Sequence, residues 1–135
     1  MKITVETEIA APIATVWARW TTPDDIMQWN AASADWACPA AELDLRDGGR
    51  FVYRMAAKDG SMAFDYDGTF LRVVEPLLLD VALGDRTLRV DFIANGAGTI
   101  LRETFDPDGE MPAEMQRDGW QAILDNFKRH VESLG

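Results

Sequence analysis

The chain has 135 residues, 47% of them hydrophobic, and carries 23 acidic against 13 basic residues for a net charge of −10. That length suits one domain, spanning 1–135, which buries about two-thirds of its unfolded surface and forms a core without staples. The charge excludes the cationic footprint that nucleic acids and anionic lipid surfaces require, so neither is expected as a partner.

One cysteine, Cys38, rules out an internal disulfide framework, and one histidine, His130, speaks against a histidine-rich metal site or a Ser-His-Asp triad. No metal and no cofactor is expected. No apolar run approaches a membrane span, and the opening MKITVETEIAAP lacks a signal-peptide core, so the protein is expected in the cytoplasm.

In chain order, Ile3, Val5, Thr7 and Ile9 alternate with Lys2, Thr4, Glu6 and Glu8, the period of a half-buried strand. Pro12 opens a short helix with Ile13, Val16, Trp17 and Trp20 on its apolar side. Pro23 starts a second, with Thr22 as expected N-cap and Asp24 and Asp25 at the positive end of the dipole. Residues 30–39 read as irregular. A run of hairpins follows. Glu42–Leu45 reads as a strand turned by Asp47-Gly48-Gly49, then Phe51, Tyr53 and Met55 alternate with polar neighbours up to the Asp59-Gly60 turn. Phe64, Tyr66, Gly68 and Phe70 form the next strand, which Pro76 breaks. Leu79, Val81 and Leu83 lead through Gly84-Asp85 to Leu88, Val90 and Phe92, and Asn95–Gly98 turns into a last strand ending near Phe105.

Pro112 introduces the longest helix. Trp120, Ile123, Leu124, Phe127, Val131 and Leu134 recur at helical spacing and make one apolar stripe. One strand, two short helices, about six strands in a meander and one long helix define an α+β fold with an antiparallel sheet. A sheet of that size twists and curls, so the amphipathic helix lies against its concave face.

The order and spacing of several segments resemble a known family. They are API-x-x-VW at Ala11–Trp17, the TxPDDIxxW run at Thr21–Trp29, and DWACP at Asp35–Pro39. DLRxGGRFxYRM at Asp44–Met55, AKDGS at Ala57–Ser61 and EMQRDGWQAILDNFKRHVE at Glu114–Glu132 continue the match. Together they resemble the Bet v 1-like, START-related (SRPBCC) superfamily, in the branch named after the activator of the 90-kDa heat-shock protein ATPase. The resemblance covers essentially the whole chain. It implies the helix-grip fold, a curved antiparallel sheet wrapped around a long C-terminal helix with a hydrophobic cavity between them. It implies ligand binding more than catalysis. The superfamily includes lipid and hormone carriers, polyketide cyclases and antibiotic-sequestering proteins. Close relatives often have histidine between the Trp and Cys of the DWxCP segment. Ala37 stands there in this chain, which puts any role for an imidazole at that position in doubt.

Among the five tryptophans, Trp17 and Trp20 are expected in the core, whereas Trp29 and Trp36 flank the irregular segment where a cavity would open. Gly119 within the long helix and Gly68 within a strand each suggest close approach of a neighbouring element or of a ligand. Glu42, Asp44 and Arg46 share one strand face and, with Arg54, form either a surface salt-bridge group or the polar end of a cavity, the former preferred. Glu103 lies between Leu101 and Phe105 on one face. An inward, unpartnered carboxyl there is the foremost candidate for a general acid or base, with Asp65 a weaker one. Cys38 reads as an inert thiol and His130 as a solvated or structural residue on the helix rim.

The leading expectation is a non-catalytic binder of a small apolar or aromatic molecule. Trp29, Trp36, Tyr53, Met55, Phe64, Phe70, Phe92, Trp120, Leu124 and Phe127 would supply apolar contact, and Glu103, with Arg54, would orient a polar group. Three alternatives stay open: a cyclase- or hydrolase-like enzyme using Glu103, a co-chaperone-like domain that contacts a chaperone, and a filled domain acting only through partners. Monomer and homodimer are both compatible with the sequence.

Overall fold

In the computed structural model, which describes residues 2–134, period-two alternation of apolar residues builds a seven-stranded antiparallel sheet. Its strands are β1 (Ile3–Ile9), β2 (Trp36–Leu43), β3 (Arg50–Ala57), β4 (Ala63–Val74), β5 (Leu78–Leu83), β6 (Arg86–Asn95) and β7 (Gly98–Phe105). Across the sheet the order is β1-β7-β6-β5-β4-β3-β2, so β1 pairs with the last strand and β2 forms the far edge. The chain crosses from edge to edge through α1 (Ile13–Thr21) and α2 (Pro23–Trp29). The long helix α3 (Ala113–Leu134) packs most closely on β1, with α1 and α2 beside it. The curled sheet gripping a terminal helix is the helix-grip arrangement expected from the sequence.

β7 shows how the register is fixed. Thr99, Leu101, Glu103 and Phe105 are buried on the concave face, and the residues between them are only partly covered. A one-residue slip would expose all four. The convex face carries cross-strand ion pairs: Arg54–Asp65 at 3.1 Å, Arg50–Asp67 at 2.8 Å, Arg89–Asp80 at 2.7 Å and Arg102–Glu6 at 3.1 Å. Each is solvated and contributes little to stability on its own.

On the helical side, Val16 and Trp17 of α1, Ile26 of α2, and Leu124, Phe127 and Val131 of α3 meet the sheet's inner residues in one core. Trp17 packs on Phe92, with ring centroids 5.0 Å apart. Phe127 presents itself edge-on to both Trp20 and Trp29 at 4.9 Å, and these two tryptophans stack at 4.6 Å. A buried polar contact ties α2 to α3: His130 Nε2 lies 2.8 Å from Asp25 Oδ1, with both side chains only 9% exposed. His130 is therefore a structural link under the helix rather than a solvated residue on its rim.

Several expectations need correction. The segment read as irregular contains the first half of β2, which starts at Trp36 and ends at Leu43, short of Leu45. Pro39, which has no N–H to donate, sits in a register shift between Ala37 and Ala40 of this edge strand. Thr22 makes no side-chain cap for α2, because its hydroxyl donates instead to the Ala18 carbonyl at 2.6 Å and closes the end of α1. Leu134 is half-exposed beyond the end of the apolar stripe's contact. Glu42, Asp44, Arg46 and Arg54 form no common network: Arg46 pairs with Asp44, Arg54 pairs with Asp65, and all are exposed. Asp65 is thus a convex-face ion-pair partner, away from any cavity.

The two singled-out glycines differ in kind. A Cβ at Gly68 would lie 2.6 Å from the Ala82 carbonyl oxygen and 2.8 Å from the Phe51 ring, so glycine is what lets that ring lie flat on β4. A Cβ at Gly119 would meet nothing within 4 Å, so the sheet does not require glycine there. Gly68→Ala should destabilise the protein by about 1–3 kcal/mol through overpacking. Gly119→Ala should stabilise it by about 1 kcal/mol through helix propensity. Urea denaturation of the two variants checks the opposite signs.

Candidate functional site

Because α3 sits over β1 and α1 covers only the Phe92 end of β6, the rest of the concave surface from β3 to β6 is not filled by helix side chains. A cavity of about 240 Å³ remains there. Trp20, Thr21, Trp29 and Asn30 from the short helices and Trp120 and Ile123 from α3 form its helical wall. Its floor is the inner face of the sheet: Phe51, Tyr53 and Met55 on β3, Phe64, Tyr66 and Phe70 on β4, then Leu79, Val81, Leu88 and Val90. Leu43 of β2 and Glu103 of β7 complete it. Phe64 is 47% exposed and lies edge-on to Trp36 at 5.9 Å, which places these two rings where the cavity meets solvent.

Trp120 is fixed by stacking on Phe105 at 3.9 Å, and Trp29 by donating its indole N–H to the Arg19 carbonyl at 3.1 Å. Asn30, at the end of α2, points its amide nitrogen at the soft acceptors Met55 Sδ at 3.6 Å and Cys38 Sγ at 3.9 Å. Burial pushes the Cys38 thiol up, against the opposing pull of the Asn30 contact. A buried thiol so shifted is a poor nucleophile.

The polar chemistry of the cavity is concentrated in Glu103. It is 4% exposed, its neighbours in register are Val5 and Val90, and it has no hydrogen-bond partner among the described residues. Desolvation alone lifts its carboxyl to about 8, so the neutral acid predominates at pH 7. Tyr66 and Tyr53 are raised well above the usual phenol range, in both cases mainly by burial. Glu103 adds to the effect at Tyr66, and Cys38 to that at Tyr53. At pH 7 the cavity therefore holds two phenolic hydroxyls and one protonated carboxyl within apolar walls.

Of the residues singled out from sequence, the structure brings Trp29, Tyr53, Met55, Phe64, Phe70, Glu103 and Trp120 to this cavity. Phe92, Leu124 and Phe127 are instead sealed in the core beneath Trp17, Trp20 and Trp29, and Trp36 packs outside on Phe64. Trp20, expected in the core, lines the cavity. Phe51 and Tyr66 were missed, although each lies two residues from a chosen neighbour on the same strand face. Leu79, Val81, Leu88 and Val90 carry no signal that separates cavity floor from ordinary sheet core. No group of three or more His, Cys, Asp or Glu among the described residues is placed to hold a metal ion, and no described helix is long and apolar enough to cross a membrane.

A curled antiparallel sheet, a C-terminal helix and two short helices after the first strand define the helix-grip class of the Bet v 1-like superfamily. The family model described as "Activator of Hsp90 ATPase homolog 1-like protein" matches residues 10–132, and the chain belongs to that family. It is similar to the AHSA1-like protein of Aeromonas hydrophila, solved by NMR, with 48% identity over 100% of this chain and 94% of that one, at a TM-score of 0.94. A protein of Cytophaga hutchinsonii is 46% identical over 98% of this chain and 93% of its own, at a TM-score of 0.85. A Nitrosomonas europaea protein shares the fold at 20% identity and a TM-score of 0.86, covering 99% of this chain and 96% of that one. No curated protein sequence matches the chain.

Glu103 makes stability depend on pH in a definite direction. Its folded value lies above the 4.5 of an exposed glutamate, so its favourable contribution is complete below about 4.5 and is lost as pH rises through about 8. Wild-type stability should therefore fall relative to Glu103→Gln across that window, by up to about 1.4 kcal/mol per pH unit. Denaturant titrations of both proteins at pH 5, 6.5 and 8 measure the difference, and parallel curves would refute the assignment.

Proposed function

We propose that this protein binds a small, largely apolar molecule in the cavity between sheet and helices, without catalysing its conversion. The void itself carries this reading. A fold that brings Trp20, Trp29, Trp120, Phe51, Tyr53 and Tyr66 around empty space forgoes the dispersion and burial that a filled core would provide. A ligand entering that space recovers them, at about 25 cal/mol per Å² of apolar surface before binding costs. The volume of 240 Å³ lies just below the range of about 300–1,000 Å³ usual for drug-sized ligands, which favours a molecule of one or two rings. The raised carboxyl of Glu103 is suited to acid–base work, but no second group stands in hydrogen-bond contact with it to complete a catalytic pair. Binding accounts for the site with fewer parts than catalysis does.

The neutral dye N-phenyl-1-naphthylamine should bind the folded protein with enhanced fluorescence. Ile123→Trp and Leu43→Trp, which extend larger side chains into the void, should each weaken it by about tenfold or more while leaving the unfolding midpoint within about 1 kcal/mol of wild type. Leu71→Trp, on the exposed face of β4, should leave affinity unchanged. Equal affinity in all four proteins would exclude the cavity as the binding site.

A further inference from the structure

We propose that the cavity selects a lipophilic amine, a ligand with an apolar ring system and one ammonium group that Glu103 receives as counter-ion. This inference rests on the cavity being a binding site and specifies the chemistry of its occupant.

Four observations converge on it. Among the described residues Glu103 is the one carboxyl lining the cavity; it is only 4% exposed, and no donor among them reaches it. No Lys or Arg is among the described residues lining the cavity, and Arg86, which acts on Tyr66 from outside the lining, already donates to the Asp106 carbonyl at 3.5 Å, so no cationic side chain of the lining meets an anionic ligand such as a fatty acid. Eight described cations are committed elsewhere: Lys2, Arg19, Arg46, Arg50, Arg54, Arg89, Arg102 and Lys128 each pair with another carboxylate. Finally, the aromatic rings of both walls offer π-faces that attract a cation and do nothing comparable for a carboxylate, and the net charge of −10 concentrates cations around the protein.

The groups facing Glu103 allow its ionisation when such a ligand enters. From β1 and β6 it meets Val5 and Val90, and the α3 side chains lining the cavity are Trp120 and Ile123. Tyr66 of β4 is the titratable neighbour coupled to it. Arg86, which donates to the Asp106 carbonyl at 3.5 Å, acts on that tyrosine. Neither tyrosine loses its proton near neutral pH. The proton balance is therefore simple: the ligand enters as R–NH₃⁺, the neutral Glu103 acid releases one proton to solvent, and the carboxylate accepts hydrogen bonds from the ammonium. A charge-assisted contact of this kind is roughly twice as strong as the neutral one a carbonyl ligand would make with the protonated acid.

Isothermal titration of the full chain with 1-naphthylmethylamine, 1-naphthylmethanol and 1-naphthoate at pH 7 separates the possibilities. The amine should bind about tenfold or more tighter than the alcohol, and the naphthoate should bind weakest. In two buffers of different ionisation enthalpy, the amine should release about 0.9 proton and the alcohol none. Glu103→Gln should bring the amine down to about the alcohol's affinity and abolish the proton release, with a cooperative urea unfolding transition showing that the variant is folded. An alcohol that binds as tightly as the amine, with no proton released on amine binding, overturns the amine assignment and leaves the cavity as a binding site. Failure of all three compounds and of the dye to bind wild-type protein overturns both.

Discussion

The seam between α3 and β1 is the contact on which the rest of this structure depends. Leu124, Phe127 and Val131 are buried against the sheet and the short helices, and the helix lies over the edge where the first strand meets the last. Held there, it reaches the space over β3 to β6 only with Trp120 and Ile123. The twist of the antiparallel sheet carries those strands around toward the short helices, and the space between them stays open. The cavity is thus a consequence of helix placement rather than of missing side-chain volume.

The same seam explains how the aromatic residues divide. Phe127 anchors Trp20 and Trp29, so the helical wall has a fixed shape and presents one stacked indole pair to the void. On the opposite wall, Gly68 lets Phe51 lie close to β4, and Phe51 in turn packs on Tyr53, Tyr66 and Phe70. Both walls are preorganised by contacts among their own rings and, on the helical side, with Phe127 beneath them. An incoming ligand then meets few side chains that must first be ordered, which lowers the entropic cost of binding.

Charge is distributed in a complementary way. The convex face holds solvated cross-strand ion pairs, while among the described residues the cavity lining carries one carboxyl, with valine on either side. Opposite charges at the surface neutralise each other cheaply in water. A lone buried carboxyl instead remains protonated until a partner arrives. Membership of the Hsp90 ATPase activator homolog family fixes the fold of this chain. The carboxyl gives its cavity a particular chemical character.

By itself the sequence determined the elements. Period-two alternation placed β1 and β3 through β7, helical spacing defined α3, and the inward face of Glu103 followed from Leu101 and Phe105 on the same strand. It also misread β2, because Pro39 breaks the alternation where an edge strand tolerates a bulge. What only the tertiary structure decided is which apolar side chains touch each other and which touch empty space. Phe127 and Phe70, or Phe92 and Tyr66, are indistinguishable by periodicity, since each simply faces inward. Their separation into core and cavity lining depends on where α3 comes to rest on the sheet. That position is set by contacts between β1, β7 and α3 far apart in the chain, which no local pattern records.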